Sequence, residues 1–117
     1  MIPSKQLRIG NWVILRKRME QVESWMFIQE CKNMTPITIT QKILEDCGFK
    51  KMDNEVNGYD EYDCGIKYYW FKVFLNKDNH CCVHYLQVAI YNHPQYLHEL
   101  QNLILSLTGI ELEYSPK

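Results

Sequence analysis

The sequence predicts an α+β fold: a mostly antiparallel sheet of about five strands with one short helix and one long C-terminal helix. Three observations lead to this prediction. Bulky and β-branched runs separated by turn residues predict the strands. A short apolar segment with capping residues predicts the first helix, and leucines at helical spacing predict the second. A chain of 117 residues can bury one hydrophobic core, so a single domain over residues 1–117 is expected.

The N-terminal part of the chain predicts a β-hairpin. A turn at Gly10 and Asn11 precedes the bulky run at residues 12–15, which is typical of a strand. A second strand is expected over residues 21–30, where apolar side chains occupy both faces. The basic residues 16–18 connect the two strands, so they are expected at the tip of the hairpin.

A short helix is predicted over residues 41–47. Thr40 fits the N-cap position, and Thr38 with Gln41 in a capping box is the alternative. Gly48 fits the left-handed position that follows a helix. A helix with one of these two caps is therefore expected here.

The middle of the chain predicts a loop followed by two strands. Residues 50–64 are polar and acidic and contain an Asn-Gly turn signal, which favours a long loop. Residues 66–75 and 81–91 are rich in apolar and aromatic side chains, and the link at 76–79 fits a hairpin connection. Because both strands carry apolar side chains on both faces, the C-terminal helix is expected to cover one of those faces.

The last quarter of the chain predicts the long helix. It is expected to begin near Asn92, with Pro94 in its first turn, and to end at Gly109. Leucine and isoleucine side chains recur between these limits and form one apolar face. Residues 110–114 alternate between apolar and acidic side chains, which predicts a strand that rejoins the sheet.

Composition excludes some classes of function and favours others. The net charge of −1 argues against strong non-specific attraction to nucleic acid or to anionic lipid. No apolar run is long enough to cross a bilayer, and residues 1–8 lack a signal-peptide segment, so a cytoplasmic location is expected. Five cysteines without a secretory signal are expected to be reduced thiols.

Three stretches of the chain together resemble a family of short proteins from Bacteroidetes and their phages. These stretches are residues 7–13, 39–49 and 97–112, and their order and spacing extend over most of the sequence. The resemblance implies a gene of a phage, prophage or mobile element, and therefore a bacterial host cytosol. It transfers no catalytic or binding residue to this chain.

No metal site and no cofactor are predicted. His80, Cys82 and His84 share one face of a predicted strand, but the outer two are separated by about 13 Å along it, too far for one zinc ion. Residues 53–58 begin like a calcium-binding loop. The position that needs a bidentate glutamate is occupied by Cys64, so calcium is not predicted.

Aromatic side chains on the two central strands are candidates for ligand binding. Tyr68 and Trp70 share one side of their strand, and Tyr85 lies on the facing strand. Exposed rings there would stack on a base or a nucleotide, or anchor a protein partner. Burial in the core or in a homodimer interface is the alternative interpretation.

A polar edge on the C-terminal helix is the second candidate. His98, Gln101 and Asn102 lie beside the apolar face, in a stretch that belongs to the resemblance. They would serve a ligand or, in the alternative, bond to backbone groups at the rim of the core. No nucleophile, phosphate-binding or dinucleotide motif occurs, so no catalytic residue is predicted.

The expected function is therefore non-enzymatic binding. An accessory protein of a phage or mobile element would engage a host protein or sequester a small ligand such as a nucleotide, for example in anti-defence. One alternative is a small nucleic-acid-binding module that uses Arg16, Lys17 and Arg18. The other is a small enzyme that uses His98 or a cysteine.

Overall fold

A computed structural model describes residues 2, 6–24, 33–64, 71–86, 88–90 and 93–115. It confirms the predicted α+β class, with two antiparallel sheets and two helices in the described part of the chain. The strands are β1 Trp12–Leu15, β2 Arg18–Gln21, β3 Met34–Thr35, β4 Lys50–Val56, β5 Tyr59–Asp63, β6 Phe71–Leu75, β7 Cys81–Tyr85 and β8 Val88–Ile90. The helices are α1 Gln41–Asp46 and α2 Leu97–Thr108. None of the described helices is long and apolar enough to cross a membrane.

The N-terminal strands form a separate small sheet in the order β2-β1-β3. Arg16 and Lys17 form a two-residue turn between β1 and β2, with φ values of 52° and 66°. Such left-handed pairs match the twist of a hairpin, and the predicted hairpin is confirmed. Its second strand was predicted over 21–30, but it runs from Arg18 to Gln21. Residues 25–30 lie outside the described residues.

The second sheet is a five-stranded meander in the order β4-β5-β6-β7-β8. The prediction of a long loop over residues 50–64 is wrong, because these residues form the hairpin of β4 and β5. Asn57 and Gly58, with φ values of 53° and 84°, make its turn. Every residue of β4 is exposed, so this edge strand has no buried face and lacks the regular alternation of apolar and polar residues that marks a half-buried strand.

The strand predicted over residues 81–91 is interrupted. Leu86 has a φ of 52° and lies in a turn, after which β8 pairs back on β7 as a new strand. The described part of the preceding strand, Phe71–Leu75, agrees with the prediction. Tyr68 and Trp70 lie outside the described residues.

The core is divided into a large and a small cluster, and β1 lies between them. Trp12 and Ile14 pack against the large cluster, which α1, α2 and the inner face of the meander enclose. Val13 and Leu15, on the other face of β1, belong to the small cluster. Among the residues that the structure describes, the members of the small cluster are Ile2, Leu7, Val13, Leu15, Val22 and Met34.

Helix α1 begins and ends as the sequence predicts. The hydroxyl oxygen of Thr40 accepts a hydrogen bond from the backbone N–H of Ile43 at 3.3 Å, which makes Thr40 the N-cap. Gly48 has a φ of 95°, and the N–H of Phe49 returns to the carbonyl of Leu44 at 3.0 Å. The carbonyl of Leu44, which also accepts from the N–H of Cys47 at 3.1 Å, thereby joins the end of α1 to the residue that follows Gly48.

Replacing Thr40 with alanine is expected to lower the free energy of unfolding by about 1 kcal/mol, because the N–H of Ile43 loses its acceptor. Thr38 is the matched control, since its side chain is exposed and does not cap the helix. Urea denaturation of Thr40→Ala and Thr38→Ala measures both effects. An equal loss in the two variants would contradict the assignment of Thr40 as the cap.

Helix α2 begins at Leu97, five residues later than the predicted start near Asn92. The cause is a short antiparallel bridge between the segments that precede the two helices. The N–H of Leu97 donates to the carbonyl of Ile37 at 2.8 Å, and the N–H of Ile39 donates to the carbonyl of Gln95 at 3.0 Å. These bonds keep residues 95–96 extended, so the helix cannot start before them.

The C-terminal end of α2 is at Gly109, as predicted, with a φ of 74° and a bond from its N–H to the carbonyl of Leu105 at 2.8 Å. The strand predicted over residues 110–114 is wrong, because these residues pair with no strand. Leu112 and Tyr114 are nevertheless buried in the large cluster. The alternation therefore indicated burial correctly and strand pairing incorrectly.

Candidate functional site

The polar edge predicted on α2 faces the turn that precedes β1. Gln101 is completely buried there. Its side-chain oxygen accepts from the N–H of Trp12 at 2.9 Å, and its amide nitrogen donates to the carbonyls of Gly10 at 3.1 Å and Leu112 at 3.4 Å. The side chain of Gln101 therefore forms hydrogen bonds with three backbone groups. Two belong to residues 10 and 12, and the third belongs to the segment that follows α2.

Asn102 extends the same contact. Its side-chain oxygen accepts from the amide of Asn11 at 2.9 Å, and its own amide donates to the carbonyl of Gln6 at 2.8 Å. The oxygen of Asn11 in turn accepts from the N–H of Arg8 at 2.8 Å. Both Gln101 and Asn102 are engaged within the protein, so a ligand at either position would have to displace an existing hydrogen bond.

An ion pair between Arg8 and Glu111 lies at the outer side of the contact between α2 and the turn that precedes β1. Arg8 Nη2 lies 2.8 Å and Nη1 lies 3.0 Å from the two carboxylate oxygens of Glu111. Gly10 lies next to this ion pair, because a Cβ atom added to it would lie 2.9 Å from the Oε1 atom of Glu111. Its φ of 103° also disfavours other residues. The left-handed turn therefore favours glycine here, and an added Cβ would also make the ends of the Glu111 and Arg8 side chains shift.

His98 differs from its two neighbours because one of its ring nitrogens is unpaired. The residue is 1% exposed, and Nε2 lies 3.2 Å from the side-chain oxygen of Gln6. The buried Nδ1 atom has no hydrogen-bond partner among the described residues. The ring lies parallel to that of Tyr96, with centroids 6.1 Å apart and an 8° angle between the planes.

Burial lowers the pKa of His98 below its ordinary value of 6.5, and the charge of Glu99 opposes this shift only in part. The imidazole is therefore neutral at physiological pH. Its Nε2–H can donate to the oxygen of Gln6, which leaves Nδ1 as a hydrogen-bond acceptor.

This lowered pKa predicts a pH dependence of stability. The unfolded chain protonates His98 near pH 6.5, whereas the folded protein resists protonation until a lower pH. The contribution of His98 to stability is therefore complete above pH 6.5 and is lost as the pH falls from 6.5 towards the folded-state pKa. Urea denaturation at a series of pH values should show this slope, and His98→Gln should reduce it. An unchanged slope in that variant would contradict the assignment.

A cavity of about 530 Å³ lies beside His98. It is bounded by the N-terminal segment, the segment before α1 and the first turn of α2. The residues that line it are Ile2, Gln6, Thr35, Pro36, Thr38, Tyr96, His98 and Glu99. The exposed positions of Gln6, Thr35 and Thr38 place its mouth at the protein surface. The cavity thus brings a neutral buried imidazole together with hydroxyl, amide and carboxylate groups.

Glu99 contributes a carboxylate that already has a structural role. Its Oε1 atom accepts from the backbone N–H groups of Gln95 at 3.0 Å and Tyr96 at 3.1 Å. It thereby caps the first turn of α2 and holds negative charge at the cavity wall.

The outer face of the meander carries a second, smaller groove of about 310 Å³. Phe74 and His84 contact each other there at a centroid distance of 4.8 Å. At its edge His80 Nδ1 lies 2.8 Å from the hydroxyl of Tyr59 and 3.9 Å from the thiol of Cys82. Within the described ranges, no group of three His, Cys, Asp or Glu residues is placed to hold a metal ion.

Two other predicted sites within the described residues, Tyr85 and the basic turn at residues 16–18, are not part of the lining of the His98 cavity. Tyr85 is half-buried on the inner face of the meander, with its ring 5.9 Å from that of Phe71. Arg16, Lys17 and Arg18 are exposed at the tip of the N-terminal hairpin. The structure therefore brings together His98, Gln101 and Asn102, and it places Tyr85 and the basic turn elsewhere.

The buried cysteines do not suit nucleophilic catalysis. Burial raises the pKa of Cys47 to about 12, with a smaller contribution from the charge of Asp46. Burial also raises the pKa of Cys81 to about 12, with a smaller contribution from Cys82. Both thiols stay protonated near neutral pH, and no described cysteine lines the His98 cavity.

Most of the cavity wall was absent from the sequence prediction. Gln6 reaches His98 across 92 positions of sequence, and Thr38 meets Tyr96 only through the bridge that precedes the helices. A glutamate in the first turn of a helix was the one local signal, and it indicates a cap rather than a cavity.

Comparisons with protein-family models, with curated proteins and with solved structures find no match to this chain.

Proposed function

We propose that this chain is a non-enzymatic binding protein that captures a small ligand in the cavity beside His98. One observation carries the proposal: a cavity of about 530 Å³ is lined by polar and apolar side chains from three separate segments of the described chain, with the buried imidazole of His98 in its wall.

The dimensions and chemistry of the cavity support this proposal. Its volume falls within the range of small-molecule sites, and a few polar groups are set among apolar ones such as Ile2 and Pro36. The polar groups are poorly suited to catalysis. Glu99 is committed to the helix cap, so its carboxylate is not free to exchange protons with a substrate.

The biological setting is part of the same proposal. The resemblance of residues 7–13, 39–49 and 97–112 to short proteins of Bacteroidetes and their phages suggests an accessory protein of a phage or mobile element. A protein of this kind that sequesters a small signalling molecule in the host cytosol would act against host defence. Direct engagement of a host protein is the alternative mode of action.

Native mass spectrometry of the protein isolated from a bacterial lysate tests the proposal. We expect a small molecule that stays with the folded protein, leaves on denaturation and binds again in calorimetry. Thr38→Tyr introduces a large side chain at the cavity wall and should abolish binding. Ser106→Tyr, at an exposed position of α2, is the matched control and should not. The proposal fails if no small molecule is retained and none binds, and a host protein retained in its place would favour the alternative.

A nucleic-acid-binding module remains the second candidate because Arg16, Lys17 and Arg18 are all exposed at one hairpin tip. Contacts to phosphates release counterions, so the affinity of such a module falls steeply as salt increases. Binding of single- and double-stranded oligonucleotides at low and high salt measures this effect. Affinity that does not depend on salt would remove this candidate.

A further inference from the structure

We infer that Cys82 is a covalent modification site, where an α,β-unsaturated carbonyl compound with an apolar body adds to the thiol while His80 accepts the thiol proton. The site lies on the outer face of the meander and shares no described lining residue with the His98 cavity, so it does not depend on the proposed function. Three features of the structure support it: the contact of Cys82 with His80, the groove beside the thiol, and the surroundings of the other described cysteines.

Cys82 has a proton acceptor within reach of its thiol. The Sγ atom lies 3.9 Å from Nδ1 of His80, and this contact is exposed rather than buried in the core. Two further contacts hold the imidazole, since Nδ1 lies 2.8 Å from the hydroxyl of Tyr59 and the ring lies 5.4 Å from that of His93. When the ring proton is on Nε2, Nδ1 presents a lone pair. The thiolate is the nucleophilic form of cysteine, so an imidazole that takes its proton increases the reactivity of the thiol.

The groove beside Cys82 suits an apolar group. Its volume is about 310 Å³, and its described lining consists of Val56, Asn57, Tyr59, Phe74, Cys82 and His84. Phe74 is the direct cross-strand partner of Cys82, so its ring lies next to the thiol on the same face of the sheet. Val56 is 45% exposed and Phe74 is half-buried, so both present apolar surface to a molecule in the groove. An electrophile with an apolar or aromatic body therefore gains from contact with the groove while its reactive carbon lies near the thiol.

The other described cysteines lack this combination. Cys47 and Cys81 are buried, and burial raises the pKa of each thiol to about 12, so both stay protonated near neutral pH. Cys64 is half-buried, and its thiol donates to the carbonyl of Phe71 at 3.6 Å. A carbonyl oxygen accepts a hydrogen bond but does not take the proton, so this contact does not produce a thiolate.

The addition needs no reagent other than the electrophile. The Cys82 sulfur forms a bond to the β-carbon, and the carbon–carbon π bond breaks. The proton that His80 takes from the thiol is then delivered to the α-carbon, which returns the imidazole to its neutral form. The product is a thioether, and the reaction as a whole involves no oxidant and no reductant. The apolar body of the electrophile remains in the groove beside Phe74.

Peptide mass spectrometry after brief treatment of the intact protein with acrylamide or N-phenylacrylamide tests the inference. Acrylamide reports the thiol alone, whereas the phenyl ring of the second reagent also occupies the groove. When each rate is divided by the rate of glutathione with the same reagent, N-phenylacrylamide should modify Cys82 at least about fivefold faster than acrylamide. Cys82 should also react before Cys47, Cys64 and Cys81. Equal normalised rates, or a faster reaction at one of those three cysteines, would overturn the inference.

Two histidine variants separate the proton acceptor from the groove. His80→Gln can still form a hydrogen bond with Tyr59 but cannot take a proton, so it should slow the reaction of Cys82 with acrylamide at least about tenfold. His84→Gln is the matched control, because His84 lines the same groove and its ring contacts that of Phe74, and it should leave this rate nearly unchanged. Thermal unfolding shows that each variant is folded. An unchanged rate in folded His80→Gln, or an equal loss in both variants, would contradict the role of His80.

Discussion

Replacing Gln101 with leucine is expected to lower the free energy of unfolding by about 3 kcal/mol. Leucine has a similar volume but no polar atoms, so the N–H of Trp12 and the carbonyl of Leu112 would lose the hydrogen bonds that Gln101 provides, and the carbonyl of Gly10 would keep only its bond from the amide of Gln21. The site is fully buried, and water cannot replace the amide without opening the contact between α2 and β1. Urea denaturation of the variant gives this loss directly.

Gln41→Leu is the matched control for this substitution. Gln41 is exposed in the first turn of α1, so the same chemical change there should alter stability by less than about 0.5 kcal/mol. A loss at Gln101 no larger than that at Gln41 would show that its three hydrogen bonds are replaced when the side chain is removed.

Leu100→Ala is expected to lower the free energy of unfolding by about 3 kcal/mol, since deletion of a buried leucine side chain leaves a cavity that relaxes only in part. Leu100 is fully buried in the large cluster, on the face of α2 that packs against the sheet. The matched control is Leu86→Ala, because Leu86 is 53% exposed in the turn between β7 and β8. Denaturation of both variants by urea checks the difference, and equal losses would contradict the burial of Leu100.

Local signals in the sequence predicted the ends of elements where one side chain decides them. Thr40 and Gly48 bound α1, and Gly109 ends α2, because each contributes its own hydroxyl group or left-handed backbone conformation. Periodicity also predicted the burial of the leucines of α2. These features depend on residues a few positions apart, which is the range over which a sequence pattern is informative.

The features that the sequence did not predict depend on distant partners or on surface positions. The start of α2 is set by a bridge to Ile37 and Ile39, about 58 residues earlier, and no local pattern records that pairing. Strand β4 is an exposed edge in which five of the seven residues are polar, so it resembles a loop. Among the predicted site residues, His98 was identified from its place beside the leucines, whereas Gln6 and Thr38 join it only in the folded chain.

The division of the core also determines how binding and local unfolding are linked. Ile2 belongs to the small cluster, which contains six of the described residues, whereas Tyr96 and Leu97 belong to the segment that leads into the large cluster. A cluster that packs separately from the rest of the core can open as a cooperative unit at a lower free energy than the whole protein. Because Ile2 and Tyr96 both line the cavity, a bound ligand would connect the two units. Amide hydrogens in β1, β2 and β3 should then exchange more slowly with solvent when the cavity is occupied, and the ligand would act as a clamp on the N-terminal sheet.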